Sequence, residues 1–193
     1  MGKIERGVAL VERIIERIAP HVRVKGAPAG ALDRLESELM VELPPTLRRF
    51  LEFDFTFASF GQRWRGRGRF GMGASPRPRV TSLRRLAAAM TEEGWTSSRL
   101  RHRVVRLPNL PSDPWNCLYL GEARADGELP ILGLVNDETT VLPFFRYSAF
   151  DLYLVEQSGL VALREPLRLD DVESHLVHNP ELSSVVPDEY NPG

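Results

Sequence analysis

The chain of 193 residues has a single cysteine, Cys117. One thiol excludes an intramolecular disulfide framework and any zinc site built on several thiolates. Lysine is nearly missing: Lys3 and Lys25 are the only two among 25 basic residues, so 23 are arginine. A GC-rich genome produces that bias, so arginine abundance alone argues little. No apolar run approaches the roughly 20 residues of a membrane helix. A secretory leader would need an apolar stretch after Lys3; Glu5 and Arg6 stand there instead, and the expected compartment is the cytoplasm. A Gly-x-Ser-x-Gly elbow for a serine nucleophile is absent, as is any internal repeat. What remains is 42% hydrophobic and 26% charged, ordinary for a globular domain that can bury its own core.

Charge is unevenly spread. Residues 1–107 hold 21 Lys and Arg against 11 Asp and Glu, and residues 108–193 hold 4 against 15. Such asymmetry either marks a docking face for nucleic acid or protein, or pairs the two halves within one fold.

Periodicity predicts helices first. Ile4, Val8, Val11, Ile14, Ile15 and Ile18 recur at spacings of three and four, giving an amphipathic helix over 3–19 that Pro20 stops. A linker follows over 20–30. A second helix starts near Ala31 with Leu32, Leu35 and Leu39 inward and ends before Pro44. Pro45 suits the first turn of a third, with Leu47, Phe50 and Leu51 on one face. Phe53, Phe55 and Phe57 alternate as in a strand. Residues 61–79 read as a loop, and 82–93 as a helix capped by Ser82 and closed by Gly94. The second half changes period: Val104–Leu107, Asn116–Leu120, Leu129–Val135 and Thr139–Phe145 read as strands between turn signals. Ser148 then caps a helix running to Gly159, and a last short helix covers about 170–178. The expected fold is α+β, a central, largely antiparallel or mixed sheet of about five to six strands with helices packed on it.

Chemistry is sparse. Cys117 lies in an apolar strand and is expected to be a buried thiol. Gly66, Gly68 and Gly71 spell G-x-G-x-x-G, but the Gly-Met-Gly-Ala-Ser-Pro-Arg-Pro that follows cannot be the helix a dinucleotide site needs. His175 and His178, three apart on a helix, fall short of a metal-ligand set; a solvated polar face is the expectation. No catalytic residue, metal or cofactor is expected. The strongest local feature is the run in which Arg63, Arg65, Arg67 and Arg69 alternate with Trp64, Gly66, Gly68 and Phe70, with no acid between Asp54 and Glu92. Arginines interleaved with aromatics and glycine can bind phosphate backbones and stack on bases, can grip carboxylates of an acidic protein, or can be a solvated loop.

Two stretches carry a resemblance. Ala31-Leu32-Asp33-Arg34-Leu35-Glu36-Ser37-Glu38-Leu39, followed by Leu43-Pro44-Pro45-Thr46-Leu47-Arg48-Arg49-Phe50-Leu51, resembles the opening helices of the SMI1/KNR4 (SUKH) superfamily. Leu118-Tyr119-Leu120-Gly121, Asp126-Gly127, Pro130-Ile131 and Val141 resemble its strand meander, and Phe150-Asp151-Leu152-Tyr153-Leu154 its closing helix. The likeness spans about 29–160. Glu52-Phe53-Asp54-Phe55 stands where the family has Asn-Gly, and the Arg-rich segment is not a family hallmark. The resemblance implies a SUKH-like domain over 29–182; periodicity adds a helix and linker over 1–28, and a Pro-rich composition a loose tail over 183–193.

It also implies a non-enzymatic binding protein. Bacterial SUKH members are mostly immunity proteins that neutralise toxins, often nucleases, by covering them; others are regulatory or scaffold interaction proteins. An acidic surface of Asp113, Asp126, Glu128, Asp137 and Glu138, with Trp115 nearby, would suit a basic, phosphate-binding toxin. Arg63, Trp64, Arg65, Arg67 and Arg69 would suit an acidic partner, or nucleic acid in a reading that makes the chain a nucleic-acid-binding module. No membrane partner is expected.

Overall fold

The computed structural model describes residues 6–59, 80–82, 103–107, 115–137, 140–158 and 169–185. Helix α1, Val8–Ile18, presents Leu10, Val11, Ile14, Ile15 and Ile18 on one buried stripe. Helix α2, Ala31–Leu39, buries Leu32, Leu35 and Leu39; helix α3, Pro45–Phe53, begins on the proline whose fixed φ suits a first turn.

The sheet is an antiparallel meander in the order β1 (Val80–Ser82), β2 (Arg103–Arg106), β3 (Trp115–Leu120), β4 (Ile131–Asp137) and β5 (Thr140–Tyr147). The four strands from Arg103 onward form its body, and β1 adds three residues at one edge. Among the described residues, helix α4, Phe150–Ser158, and helix α5, Leu169–His178, come next, and a 3-10 turn follows at Pro180–Val185.

Both faces of the sheet are covered. Val105, Leu118, Leu120, Ile131 and Tyr147 join α1 to α4 in the main core. Val104, Cys117, Tyr119, Leu132, Leu134 and Phe145 face the other way, onto Val172, Leu182 and Val185. That is why β3 reads as nearly continuous apolar sequence instead of an alternation.

Three expectations are corrected. Phe53, Phe55 and Phe57 form no strand: Phe53 ends α3 and Phe55–Ser59 is a 3-10 turn. Asp54 Oδ1 accepts from the Thr56 N–H at 3.0 Å and from its hydroxyl, closing the turn. Phe57 then meets Phe50 at 5.2 Å and Phe150 at 5.6 Å, both edge-on. Ser82 is the last residue of β1, opposite Arg103; the helix expected over 82–93, and with it the test of a Ser82 cap, lies outside the described residues. The Ser148 hydroxyl does not cap α4 but donates to Asp171 Oδ2 at 3.0 Å. The packed chain also continues past residue 182, because Val185 is buried.

Candidate functional site

A charged pocket of about 360 Å³ opens where the β3–β4 turn meets the segment before α1 and the starts of α4 and α5. The turn is built first. Gly127 N–H donates to the Arg124 carbonyl at 2.8 Å and Arg124 N–H to the Glu128 carbonyl at 3.0 Å. Gly127 sits at φ +82°, and a Cβ there would lie 3.1 Å from Pro45 Cδ. Glycine therefore lets the turn press against α3.

That contact places Glu128 under the first turn of α3. Its Oε1 accepts the Thr46 N–H at 3.1 Å and its Oε2 the Thr46 hydroxyl at 2.8 Å. Glu128 is 4% exposed. Burial pushes its carboxyl up to about 7, against the two Thr46 bonds, with the charges of Asp151 and Asp126 adding to the rise.

The remaining charges are paired. Asp151, in the first turn of α4, accepts from the Gly7 N–H at 2.7 Å and from Arg6 Nε at 3.3 Å. Asp171 on α5 accepts from Arg124 Nη1 at 2.9 Å, Arg6 Nη2 at 3.3 Å and Ser148 Oγ. Arg124 turns its other edge to Asp126, with Nε to Oδ1 at 2.9 Å. Burial would raise the Asp126 carboxyl, but its bond to Arg124, the Glu128 N–H and the charge of Arg124 together hold it low. Two guanidiniums thus stitch the N-terminal segment, the turn and α5 together.

Ser148, Asp171 and His175 bring the residue types of a hydrolytic triad into one cluster, wired differently. The serine hydroxyl donates to the aspartate, and His175 Nε2 donates to the Ser148 carbonyl at 2.7 Å. The imidazole therefore holds no bond to the hydroxyl it would have to deprotonate. His175 is fully buried, while His178, three residues on, is exposed, so the two histidines do not share a solvated face. Cys117 is buried, and desolvation pushes its thiol up to about 12. Among the described residues no group of three metal-ligating side chains forms, and no helix is long and apolar enough to cross a membrane.

Of the acids proposed from sequence, the structure brings Asp126 and Glu128 together, and of these two Asp126 faces solvent while Glu128 is buried. Glu128 cannot belong to an acidic surface, because it is spent on Thr46. Trp115 lies away from the pocket, on the sheet face turned to α5, with the Arg106 guanidinium 3.7 Å from its ring centroid. Asp137 ends β4 opposite Thr140. Asp113, Glu138, Arg63, Trp64, Arg65, Arg67 and Arg69 lie outside the described residues. Sequence reasoning missed Arg6, Thr46, Arg124, Asp151 and Asp171 as members of one cluster. Asp126-Gly127 was the one local signal that a turn stands here.

Comparison of the chain with protein-family models, with curated proteins and with solved structures gives no match.

Proposed function

We propose that the chain is a non-enzymatic protein-binding domain, an immunity protein that binds a cognate bacterial toxin and neutralises it by occluding it. The observation that carries the reading is where the resembling residues go. Leu32, Leu35, Leu39, Leu43, Leu47, Phe50, Leu51, Leu118, Leu120, Ile131, Phe150, Leu152, Tyr153 and Leu154 all belong to one core. Residues spread over more than 120 positions of sequence meet as a single packing unit, as motifs that specify a fold must. This supports the SUKH-like reading of the fold, and the binding role follows from that likeness.

The pocket is compatible with such a role. Its carboxylates and guanidiniums are engaged mainly with each other and with backbone, so they brace the fold. A protein that acts by covering a target needs a rigid, charged surface more than a reactive one.

The test is a pull-down with tagged protein from nuclease-treated native lysate at moderate salt, followed by co-expression of the captured partner. A stoichiometric protein whose toxicity is relieved by this chain supports the proposal. Recovery of nucleic acid alone, when nuclease is omitted, overturns it in favour of binding through 61–79, and that binding would weaken steeply with salt.

A further inference from the structure

The pocket holds four carboxyl groups, on Asp126, Glu128, Asp151 and Asp171, and two guanidiniums, on Arg6 and Arg124. Arg6 bonds to Asp151 and Asp171, and Arg124 to Asp126 and Asp171. Glu128 is the carboxyl left without a guanidinium, and it is the one fixed instead by a neutral residue, Thr46. A buried carboxyl among three others, unpaired with a cation, favours its protonated form; two hydrogen bonds from Thr46 favour the ionised one. The opposing terms leave both forms within reach.

Thr46 can serve either form. When Glu128 is ionised, the Thr46 hydroxyl donates to Oε2. When Glu128 carries a proton, Oε2–H can donate to the hydroxyl oxygen, because a hydroxyl both donates and accepts. The Thr46 N–H to Oε1 bond is available in both states. We propose that Glu128 is a proton-operated charge switch: it takes up or releases one proton inside the pocket while its bonds to Thr46 hold the β3–β4 turn against α3. The pocket's formal charge then moves between −2 and −1 with no release of the turn. Its midpoint falls at about 7. The charged groups facing it are Arg124 and Asp126 from its own turn, Asp151 from α4, Asp171 from α5 and Arg6 from the segment before α1; α3 supplies only Thr46. The inference does not depend on the identity of any partner.

The experiment is an NMR titration of the full chain labelled with carbon-13 and nitrogen-15, following the Glu128 Cδ and the Thr46 amide from pH 4 to 9. The switch predicts a shared midpoint near 7, with the Thr46 amide remaining dispersed on both sides. In Thr46→Val the hydroxyl donor is lost and the midpoint rises by about one pH unit. In Glu128→Gln the Thr46 amide no longer titrates in that window. A Glu128 midpoint between 4 and 5 overturns the proposal. So does collapse of the Thr46 amide to a random-coil position on either side of the transition. If Glu128→Gln does not fold, the parent titration and Thr46→Val still decide.

Discussion

The side-chain amide of Asn179 pairs with both backbone groups of Glu122: Oδ1 accepts the Glu122 N–H at 2.8 Å and Nδ2 donates to the Glu122 carbonyl at 2.8 Å. Asn179 is fully buried, immediately after α5, while Glu122 follows the end of β3. One side chain thus satisfies both backbone groups where the strand runs out. Gly121 makes room for it, since a Cβ there would lie 2.1 Å from Asn179 Oδ1.

Asn179→Ala should therefore cost about 1–3 kcal/mol, because two part-buried backbone groups lose their partner. Asn179→Asp separates bonding from packing. At pH 7 its carboxylate still accepts the N–H but repels the Glu122 carbonyl, so it should be about as unstable as the alanine variant. A protonated acid can donate to that carbonyl, so stability should recover on acidification relative to Asn179→Ala. Urea unfolding at pH 7 and pH 5 reads both; equal losses at the two pH values would remove the reciprocal pairing from the account.

The Phe144 ring lies across Gly133, its partner on β4. A Cβ at 133 would come within 2.2 Å of Phe144 Cζ and 2.5 Å of Cε1. Gly133→Ala should displace the ring and cost about 1–2 kcal/mol. With Phe144→Ala already in place the same substitution has nothing to displace. The two changes should then be less than additive by at least ~0.5 kcal/mol in a double-mutant cycle. Strict additivity would show that glycine is there for another reason.

Met40 follows α2 with φ +58° and is 78% exposed. A left-handed backbone strains a residue that has a Cβ by about 1–2 kcal/mol, and the side chain recovers little by burial. Glycine relieves that strain but loses more freedom on folding, by about 0.5–1 kcal/mol. The net expectation is that Met40→Gly stabilises by about 0.5 kcal/mol, while the β-branched Met40→Val destabilises by about 1 kcal/mol. A thermal melt of both variants ranks them; a stabilised valine variant would contradict the left-handed assignment.

Much of the architecture is legible in the sequence because local chemistry decides it. Pro45 and the apolar faces of α2 and α3 needed no long-range information. The strands from Arg103 onward were bounded by turn residues such as Asp126-Gly127. Where two periods compete, local pattern does not decide between them. Phe53, Phe55 and Phe57 alternate, but Phe50, Phe53 and Phe57 also stand at helical spacings, and the cluster with Phe150 favours the second set. Strand β1 has three residues, too few to show a period. The pocket was invisible for a different reason: Arg6 and Asp171 are 165 residues apart. No spacing rule reaches that far. Charge alone does not distinguish exposed Asp126 from buried Glu128.

The two buried groups near the pocket titrate in opposite senses, and their effects on stability should nearly cancel. His175 is held neutral, its group lowered to about 4 by burial and then by the charge of Arg124, despite its bond to Ser148. Its Nδ1 is buried without a hydrogen-bond partner, so a second proton would add an unpaired donor. From pH 6.5 down to 4 the unfolded chain binds a proton there that the folded chain refuses, so stability is lost on acidification. Glu128 is raised from 4.5 to about 7. Between those values the folded chain holds a proton that the unfolded chain has released, so stability is lost as pH rises. Across pH 4.5–6.5 each contributes a slope of up to about 1.4 kcal/mol per pH unit, with opposite sign. Relative to the parent chain, Glu128→Gln should gain stability as pH rises from 4.5 to 7, and His175→Gln should gain as pH falls from 6.5 to 4. Denaturant midpoints at half-unit pH steps give the two difference curves. They should cross in sign, and a flat curve for either variant would mean that its group titrates in the folded chain as it does in the unfolded one.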